Sequence, residues 1–348
     1  MALMELAVDF GSSYITIYKR GEGIVLKEAS VVVVSTHKKK REVVESGNAA
    51  KNYVRTTMGN AREIYPVREG VVVSVEDASL MMSEFIKRLL PEKIFKPQIR
   101  AVVMISSGLT VVERRDVETV MLNAGVKDVV LVESPLALLA YTNSVGGLFL
   151  DIGGGTAEVA SVTKNGISAA CSVNIAGAML NSKIIDYFVE NYGLKIGDYT
   201  AEKLKLDVGS MYDNDLSATE ISGRDVLDGT PRSMEASAKD VRRAISKSID
   251  ALIEVVENVL NMTPPELAGE IGKKGIFISG GTSELPGLIE YLGVRLYLPI
   301  TQLKDYDNAA ALGGGVLLED GKALSQMLNM KVDRRMFIEI VRKINKNI

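Results

Sequence analysis

Cysteine, histidine and tryptophan are scarce in this 348-residue chain, which has one cysteine, one histidine and no tryptophan. With Cys171 alone, the chain can form neither an internal disulfide nor a zinc site built from several cysteines. His37 directly precedes a basic run and is expected in a solvated loop, so histidine-dependent catalysis is not expected. The chemistry of this chain should therefore come from carboxylates, hydroxyls, lysines and backbone amides.

Long apolar runs and a strong net charge are lacking as well. No stretch reaches the ~18 consecutive apolar residues of a membrane-spanning helix, and the N-terminus has no secretory-signal pattern. The net charge of -3 gives no reason to expect binding to nucleic acid. With 47% hydrophobic and 24% charged residues, the chain can build two domains with sizeable cores. The composition predicts a cytoplasmic globular protein with no nucleic-acid partner.

Glycine, in contrast, is concentrated in turns, and the turn within residues 148–162 organises the rest of the chain. This segment, LFLDIGGGTAEVASV, reads as a strand, a glycine turn and a second strand. Successive glycines allow backbone N–H groups to approach an oxyanion, and Thr156 adds a hydroxyl beside them. Asp151 ends the first strand and is expected to face a divalent cation through water. An ordinary hairpin would have the same pattern, so one such turn is weak evidence.

Two further glycine turns strengthen the prediction of a phosphate site. Residues 6–17, LAVDFGSSYITI, repeat the arrangement, with Asp9 and Gly11 followed by Ser12 and Ser13. Two strand-Asp-x-Gly hairpins in one chain predict two like-folded halves that face one nucleotide. A third turn, GIFISGGTSELPG at residues 275–287, follows an apolar strand. Between the hairpins, helix and strand signals alternate in the pattern of a parallel α/β sheet.

These three turns, in this order, resemble the phosphate 1, phosphate 2 and adenosine motifs of the actin, Hsp70 and sugar-kinase ATPase superfamily. The stretches TAEKLKLDVGS, DGTPRS and TPPELAGEIGKKGIFISGGTSELPGL narrow the resemblance to the bacterial actin family MreB, up to about residue 320. The resemblance implies an α/β, actin-like ATPase fold with two RNase H-like domains, each with a small inserted subdomain, and a nucleotide in the central cleft. The implied parts are domain IA (1–35, 67–144 and 318–348), subdomain IB (36–66), domain IIA (145–179 and 238–317) and subdomain IIB (180–237).

The resemblance also implies ATP or ADP with Mg²⁺ as the bound cofactor. The residues that would touch the phosphates are Asp9, Gly11, Ser12, Ser13 and Tyr14 on one side, and Gly153, Gly154, Gly155 and Thr156 on the other. The residues that would border the adenosine are Glu202, Lys205, Gly280, Gly281 and Thr282. Asp9 and Asp151 would orient the hydration shell of the magnesium ion. Glu202 and Lys205 also fit an ordinary surface pair on a helix, since they are three residues apart.

The chain departs from the family pattern at its hydrolytic turn. MreB and Hsp70 proteins usually have a glutamate directly before the proline here, and that carboxylate positions the attacking water. This chain has Ser134 before Pro135, and Glu133 lies one place earlier. Loss of one positioned catalytic group costs about 10² to 10⁴ in rate, so we expect ATP binding with weak hydrolysis in a divergent paralogue. The candidate catalytic residues are Ser134, Glu133 and Thr156, and whether Glu133 compensates is open from the sequence.

Membrane contact is a further implication of the resemblance, because MreB proteins bind membranes through an apolar loop of the first domain. The matching positions are Ile94 and Phe95, between Lys93 and Lys96, which suits an anionic lipid surface. A buried loop anchor would have the same sequence. Residues 333–348 form a second candidate, since apolar residues recur at helical spacing among basic ones. This tail could instead pack as a helix on the first domain.

The function implied by the resemblance is that of a cytoskeletal ATPase whose subunits assemble head to tail into filaments. Such filaments would govern cell shape or motility at the inner face of the cell membrane. The expected partners are the protein itself, an anionic membrane surface and other MreB paralogues.

The alternatives are an Hsp70-like chaperone, a small-molecule kinase or an FtsA-like membrane tether. A chaperone would need a β-rich peptide-binding domain after the third turn, but only 61 of the 348 residues follow Gly287. A kinase would need an acidic base in the cleft for its acceptor hydroxyl. A tether remains open because of the amphipathic tail.

Overall fold

The structure, a computed structural model, describes residues 2–37, 40–53, 61–92 and 96–321. Within these residues the chain builds two five-stranded sheets, two three-stranded sheets and one two-stranded sheet. None of the helices in this part of the chain is both long enough and apolar enough to cross a bilayer.

The first half of the chain contributes one five-stranded sheet, one three-stranded sheet and one two-stranded sheet. Its elements are β1 (Leu3–Phe10), β2 (Tyr14–Lys19), β3 (Gly23–Ala29), β4 (Val32–His37), β5 (Lys40–Ser46), α1 (Asn48–Tyr53), β6 (Ala61–Ile64), β7 (Val67–Arg68), β8 (Val71–Val72), α2 (Val75–Leu89), β9 (Gln98–Ile105), α3 (Val111–Asn123), β10 (Asp128–Glu133) and α4 (Ser134–Thr142). The large sheet has the order β10-β9-β1-β2-β3, and the small sheet has the order β5-β4-β6. The small sheet therefore begins at Val32, four residues before the predicted limit at residue 36.

The second half repeats this plan. Its elements are β11 (Gly146–Ile152), β12 (Ala157–Thr163), β13 (Gly166–Val173), α5 (Gly177–Tyr192), β14 (Leu194–Lys195), α6 (Asp198–Val208), β15 (Ala218–Asp225), β16 (Pro231–Ser237), α7 (Ala238–Met262), α8 (Pro265–Lys274), β17 (Ile276–Ser279), a short 3-10 helix (Gly281–Glu284), α9 (Leu288–Leu296), β18 (Ile300–Gln302) and α10 (Ala309–Glu319). Its large sheet has the order β13-β12-β11-β17-β18, and its small sheet has the order β14-β15-β16.

The two large sheets have the same topology. In each, three antiparallel strands, β1-β2-β3 or β11-β12-β13, are followed by two strands parallel to the first. The phosphate hairpins predicted from the sequence are the β1–β2 and β11–β12 turns, at equivalent positions in the two sheets. This topology confirms the prediction of two like-folded halves.

Helix ends follow local capping chemistry. The 25-residue helix α7 begins after Ser237, whose hydroxyl accepts a hydrogen bond from the backbone N–H of Asp240. The Asp240 carboxylate in turn accepts one from the Ser237 N–H at 3.0 Å, which completes a capping box. Helix α3 begins with the same arrangement between Thr110 and Glu113.

A shared core holds the two halves together. Helices α4 and α10 pack closely at Gly313, where any side chain would overlap the backbone of Ala137. Leu317 on α10 lies in one buried cluster with Leu136 on α4 and Phe149 on β11. Helix α10 thus follows the second half in sequence but packs on α4 and on β1. The end of the described chain therefore returns to the first half.

Candidate nucleotide site

The two phosphate hairpins meet at the centre of the molecule. An added Cβ at Gly155 would lie 2.6 Å from the Ser12 Cβ, and one at Gly154 would overlap the Ser13 side chain. Real Cβ atoms do not approach other atoms so closely, so glycine is required at both positions. The structure thus brings together the two turns that the sequence assigned to opposite sides of the phosphates.

The third glycine turn and helix α5 pack against the same hairpin. The Thr282 hydroxyl donates a hydrogen bond to the Gly153 carbonyl at 2.9 Å. The backbone N–H of Gly177, at the start of α5, donates to the same carbonyl at 3.1 Å, and the N–H of Ala178 donates to the Gly154 carbonyl at 2.7 Å. These bonds fix the conformation of the β11–β12 turn from both sides.

Residues 69 and 70, between β7 and β8, also contact the hairpin region, and no sequence motif predicted that they would lie there. The Gly70 N–H donates to the Ser12 hydroxyl at 2.8 Å, and the Asn174 amide donates to the Glu69 carboxylate at 2.6 Å. Glu69 adopts a φ of 50°, which is uncommon for a residue other than glycine. The Glu-Gly pair before an apolar run was a local turn signal, but nothing local placed it beside Ser12.

Two partly buried carboxyls, Asp9 and Asp151, flank the hairpins near the ends of β1 and β11. Burial and the nearby Asp151 raise the pKa of Asp9 to about 7, while Lys27 acts in the opposite direction. Burial also raises the pKa of Asp151, although a hydrogen bond donated by Ser279 at 2.8 Å lowers it. Neighbouring carboxylates repel each other when both are ionised, and a cation between them relieves that repulsion. The pair therefore fits a divalent ion.

In the part of the chain that the structure describes, no three His, Cys, Asp or Glu side chains are grouped as a metal-binding cluster. Mg²⁺ commonly keeps several waters and binds through one or two carboxylates together with phosphate oxygens. Asp9 and Asp151 match that mode of binding.

Glu158 is a buried carboxyl beside this pair, and no sequence motif indicated it. It lies opposite Asp151 in the β11–β12 ladder, and it is 4% exposed. The Ser107 N–H donates to its carboxyl oxygen at 2.7 Å, and the Ser107 hydroxyl also donates to it. Burial is the largest cause that raises the pKa of Glu158 to about 8. A glutamate inside the apolar strand AEVASV was the available signal.

The hydrolytic turn lies where β10 ends and α4 begins, and both of its candidate residues are buried. The Ser134 hydroxyl donates to the Ile105 carbonyl at 3.2 Å. The Glu133 carboxylate accepts a hydrogen bond from the Arg114 guanidinium at 2.5 Å. One oxygen of the Glu133 carboxylate is therefore engaged by Arg114.

The candidate adenosine residues Lys205 and Glu202 both lie on α6 but have different partners. Lys205 turns inward and donates to the Gly177 carbonyl at 2.9 Å and to the Asn181 amide oxygen at 2.7 Å. Burial lowers its pKa to about 8. Glu202 instead lies 3.5 Å from Lys51 of the first half. The two residues therefore do not form the plain surface pair that their spacing also allowed.

Gly280 and Gly281 allow a matched test of the third glycine turn, at residues 275–287. A side chain at Gly280, which has φ 84°, would overlap the Ile152 carbonyl, whereas nothing lies within 4 Å of a Cβ at Gly281. We expect Gly280→Ala to lower the free energy of unfolding by roughly 3 kcal/mol and Gly281→Ala to change it by less than about 0.5 kcal/mol. Urea denaturation of the nucleotide-free protein measures both, and equal midpoints for the two variants would contradict the geometry.

The predicted membrane residues Ile94 and Phe95 lie outside the described residues, as does the basic tail at 333–348.

Known proteins resemble this chain over nearly its whole length. The family model described as MreB/Mbl protein matches residues 3–326. The cell shape-determining protein MreB of Escherichia coli (strain K12) is 33% identical over 323 residues, which cover 90% of this chain and 93% of the relative. The cell shape-determining protein Mbl of Bacillus subtilis (strain 168) is 32% identical over 328 residues, which cover 92% of this chain and 97% of the relative.

Solved structures agree with these sequence matches. MreB 5 of Spiroplasma citri bound to AMPPNP has a TM-score of 0.85 and 26% identity, covering 94% of this chain and 99% of its own. MamK in a double helical filament has a TM-score of 0.77 at 19% identity. The match covers 91% of this chain and 99% of the MamK chain and shows that the two share a fold. The hairpins, the paired sheets and the comparisons lead to one assignment. The chain has an actin-like fold and belongs to the MreB/Mbl family.

Proposed function

We propose that this protein is an MreB-like cytoskeletal ATPase that binds ATP and Mg²⁺ in its central cleft and assembles head to tail into filaments. The observation that carries the proposal is the contact between the two glycine hairpins, at Ser12–Gly155 and Ser13–Gly154, with Asp9 and Asp151 beside them. Filaments of this kind would govern cell shape or motility. Relatives named as cell shape-determining proteins support this function.

Each part of the proposed site has a specific task. Backbone N–H groups of the two hairpins, with the hydroxyls of Ser12, Ser13 and Thr156, would hold the phosphates. Asp9 and Asp151 would hold Mg²⁺ through its water shell, and the ion would neutralise phosphate charge. Structures of a relative bound to AMPPNP and to ADP support a nucleotide in this cleft.

Hydrolysis is proposed to be weak. Phosphoryl transfer depends on a group that positions the attacking nucleophile. Ser134 occupies the position of the usual glutamate, and Glu133 is engaged by Arg114. Neither side chain offers an available carboxylate, which supports slow turnover and long-lived filaments.

Domain limits and membrane contact belong to the same proposal. Pairing of β4 with β5 and β6 supports an inserted subdomain IB that starts near Val32. Packing of α10 on α4 supports a return to domain IA near Ala309 rather than at residue 318. Ile94, Phe95 and the basic tail would place the filaments on the anionic inner face of the cell membrane, with paralogues as further partners.

Sedimentation together with phosphate release tests the proposed function. We expect pelleting that requires ATP and Mg²⁺, accompanied by slow phosphate release. A chain that releases phosphate quickly and does not pellet would favour a chaperone or a kinase instead. A chain that binds no adenine nucleotide would refute the proposal.

A further inference from the structure

The mouth of the cleft is bridged by an ion pair that no sequence motif indicated. Lys51 lies on α1, beside the small sheet of the first half, and Glu202 lies on α6, beside the small sheet of the second half. The Lys51 ammonium is 3.5 Å from a Glu202 carboxylate oxygen, although the two residues are 151 positions apart. The pair therefore joins the two inserted subdomains directly.

Lys51 is also held above the phosphate hairpin of its own half. Its ammonium lies 5.8 Å from the centroid of the Tyr14 ring, which is within the range of a cation–π contact. Tyr14 directly follows Ser13 at the hairpin. Lys51 thus stands between the proposed phosphate site and Glu202, on the side where the adenosine would enter.

Tyr65 of the first small subdomain also lies near α6, which supports this arrangement. Burial is the largest cause that raises the pKa of Tyr65, which directly follows β6 of the first small sheet, and the nearby carboxylates of Glu63, Glu202 and Asp198 raise it further. The phenol also donates to the Glu63 carboxylate at 2.8 Å. Two points of the first small subdomain, at residues 51 and 65, therefore face the same helix of the second half.

We propose that Lys51 is a positioning residue, which orients Glu202 and closes the cleft over the adenosine, so that it sets the rate of nucleotide release. This inference rests on the proposed nucleotide binding. Both side chains are partly exposed, at 32% and 39%. Partly exposed pairs are weak and are screened by salt. The bridge therefore opens readily, and its opening rate should depend on ionic strength.

Release of a fluorescent ADP analogue from the full-length protein with Mg²⁺, followed by stopped flow, tests the proposal. We expect Lys51→Ala to accelerate release by about threefold to fivefold at low salt and to remove most of its salt dependence. Lys51→Arg should release the analogue at nearly the rate of the unmodified protein, because it keeps the charge. Lys87→Ala is the matched control, since Lys87 pairs with Glu84 within α2 and should have no effect.

A Glu202→Gln background separates positioning from direct contact. If Lys51 acts through Glu202, Lys51→Ala should change the release rate little once the Glu202 charge has been removed. An equal acceleration in both backgrounds would overturn the proposal, because Lys51 would then act on the nucleotide independently. An unchanged release rate in Lys51→Ala would overturn it as well. Failure of the unmodified protein to bind the analogue would refute the proposed function itself, so the two failures are distinguishable.

Discussion

Replacing Ser134 by glutamate should raise the rate of ATP hydrolysis about 100-fold, since one positioned catalytic group contributes about 10² to 10⁴ in rate. Ser134 is the first residue of α4 and directly precedes Pro135, where MreB proteins usually have the water-positioning glutamate. Its hydroxyl donates to the Ile105 carbonyl and offers no carboxylate to orient water. The variant restores that group without altering the hairpins that would hold the phosphates.

Phosphate release measured side by side with sedimentation checks this prediction. Ser134→Ala is the control, because it removes the bond to Ile105 without adding a carboxylate and should not accelerate hydrolysis. Faster hydrolysis should also shorten the lifetime of the pelleted filaments after ATP is consumed. Equal rates for the unmodified protein and Ser134→Glu would show that another residue does the chemistry.

The neighbouring glutamate illustrates what sequence reasoning left open. Glu133 is one residue from the expected position, and local sequence could not say whether it compensates. Its side chain is held by Arg114, a residue of α3 that lies 19 positions away. The partner that decides the role of Glu133 is thus supplied by a different element.

Features set by neighbouring residues could be predicted from the sequence, whereas contacts between distant segments could not. The two glycine hairpins depend on neighbouring residues, and both were recognisable in the sequence. Contacts such as Lys51–Glu202 and Glu69–Asn174 depend on how distant segments meet. The order in which the strands pair decides those contacts, and local patterns do not encode it. The candidate adenosine residues were therefore assigned through a family resemblance rather than through a local pattern.

Replacing Glu158 by glutamine should remove a large part of the pH dependence of stability. The folded structure raises the pKa of Glu158 from its ordinary value of 4.5 to about 8, chiefly through burial. The carboxyl therefore takes up a proton on folding, and its contribution to stability is fully present below pH 4.5 and is lost as the pH rises through about 8. The loss reaches about 1.4 kcal/mol per pH unit within that window.

Urea denaturation of the nucleotide-free protein at several pH values between 5.5 and 8.5 measures the effect. We expect similar stabilities for the unmodified protein and Glu158→Gln at the acidic end. At the alkaline end we expect the variant to be more stable by about 3 kcal/mol, because its amide cannot ionise. Glu118→Gln, on the exposed face of α3, controls for the loss of a surface charge and should follow the unmodified protein.

The difference between the two pH profiles is the informative quantity, since Asp9 also has a raised pKa and contributes a similar slope to both proteins. Glutamine keeps an oxygen that can accept the hydrogen bonds from Ser107, so the contact between the two halves should survive. Parallel profiles would mean that Glu158 is already ionised in the folded protein at neutral pH. Diverging profiles would establish that the cleft keeps a protonated carboxyl beside Asp151, which limits the negative charge that an entering nucleotide has to face.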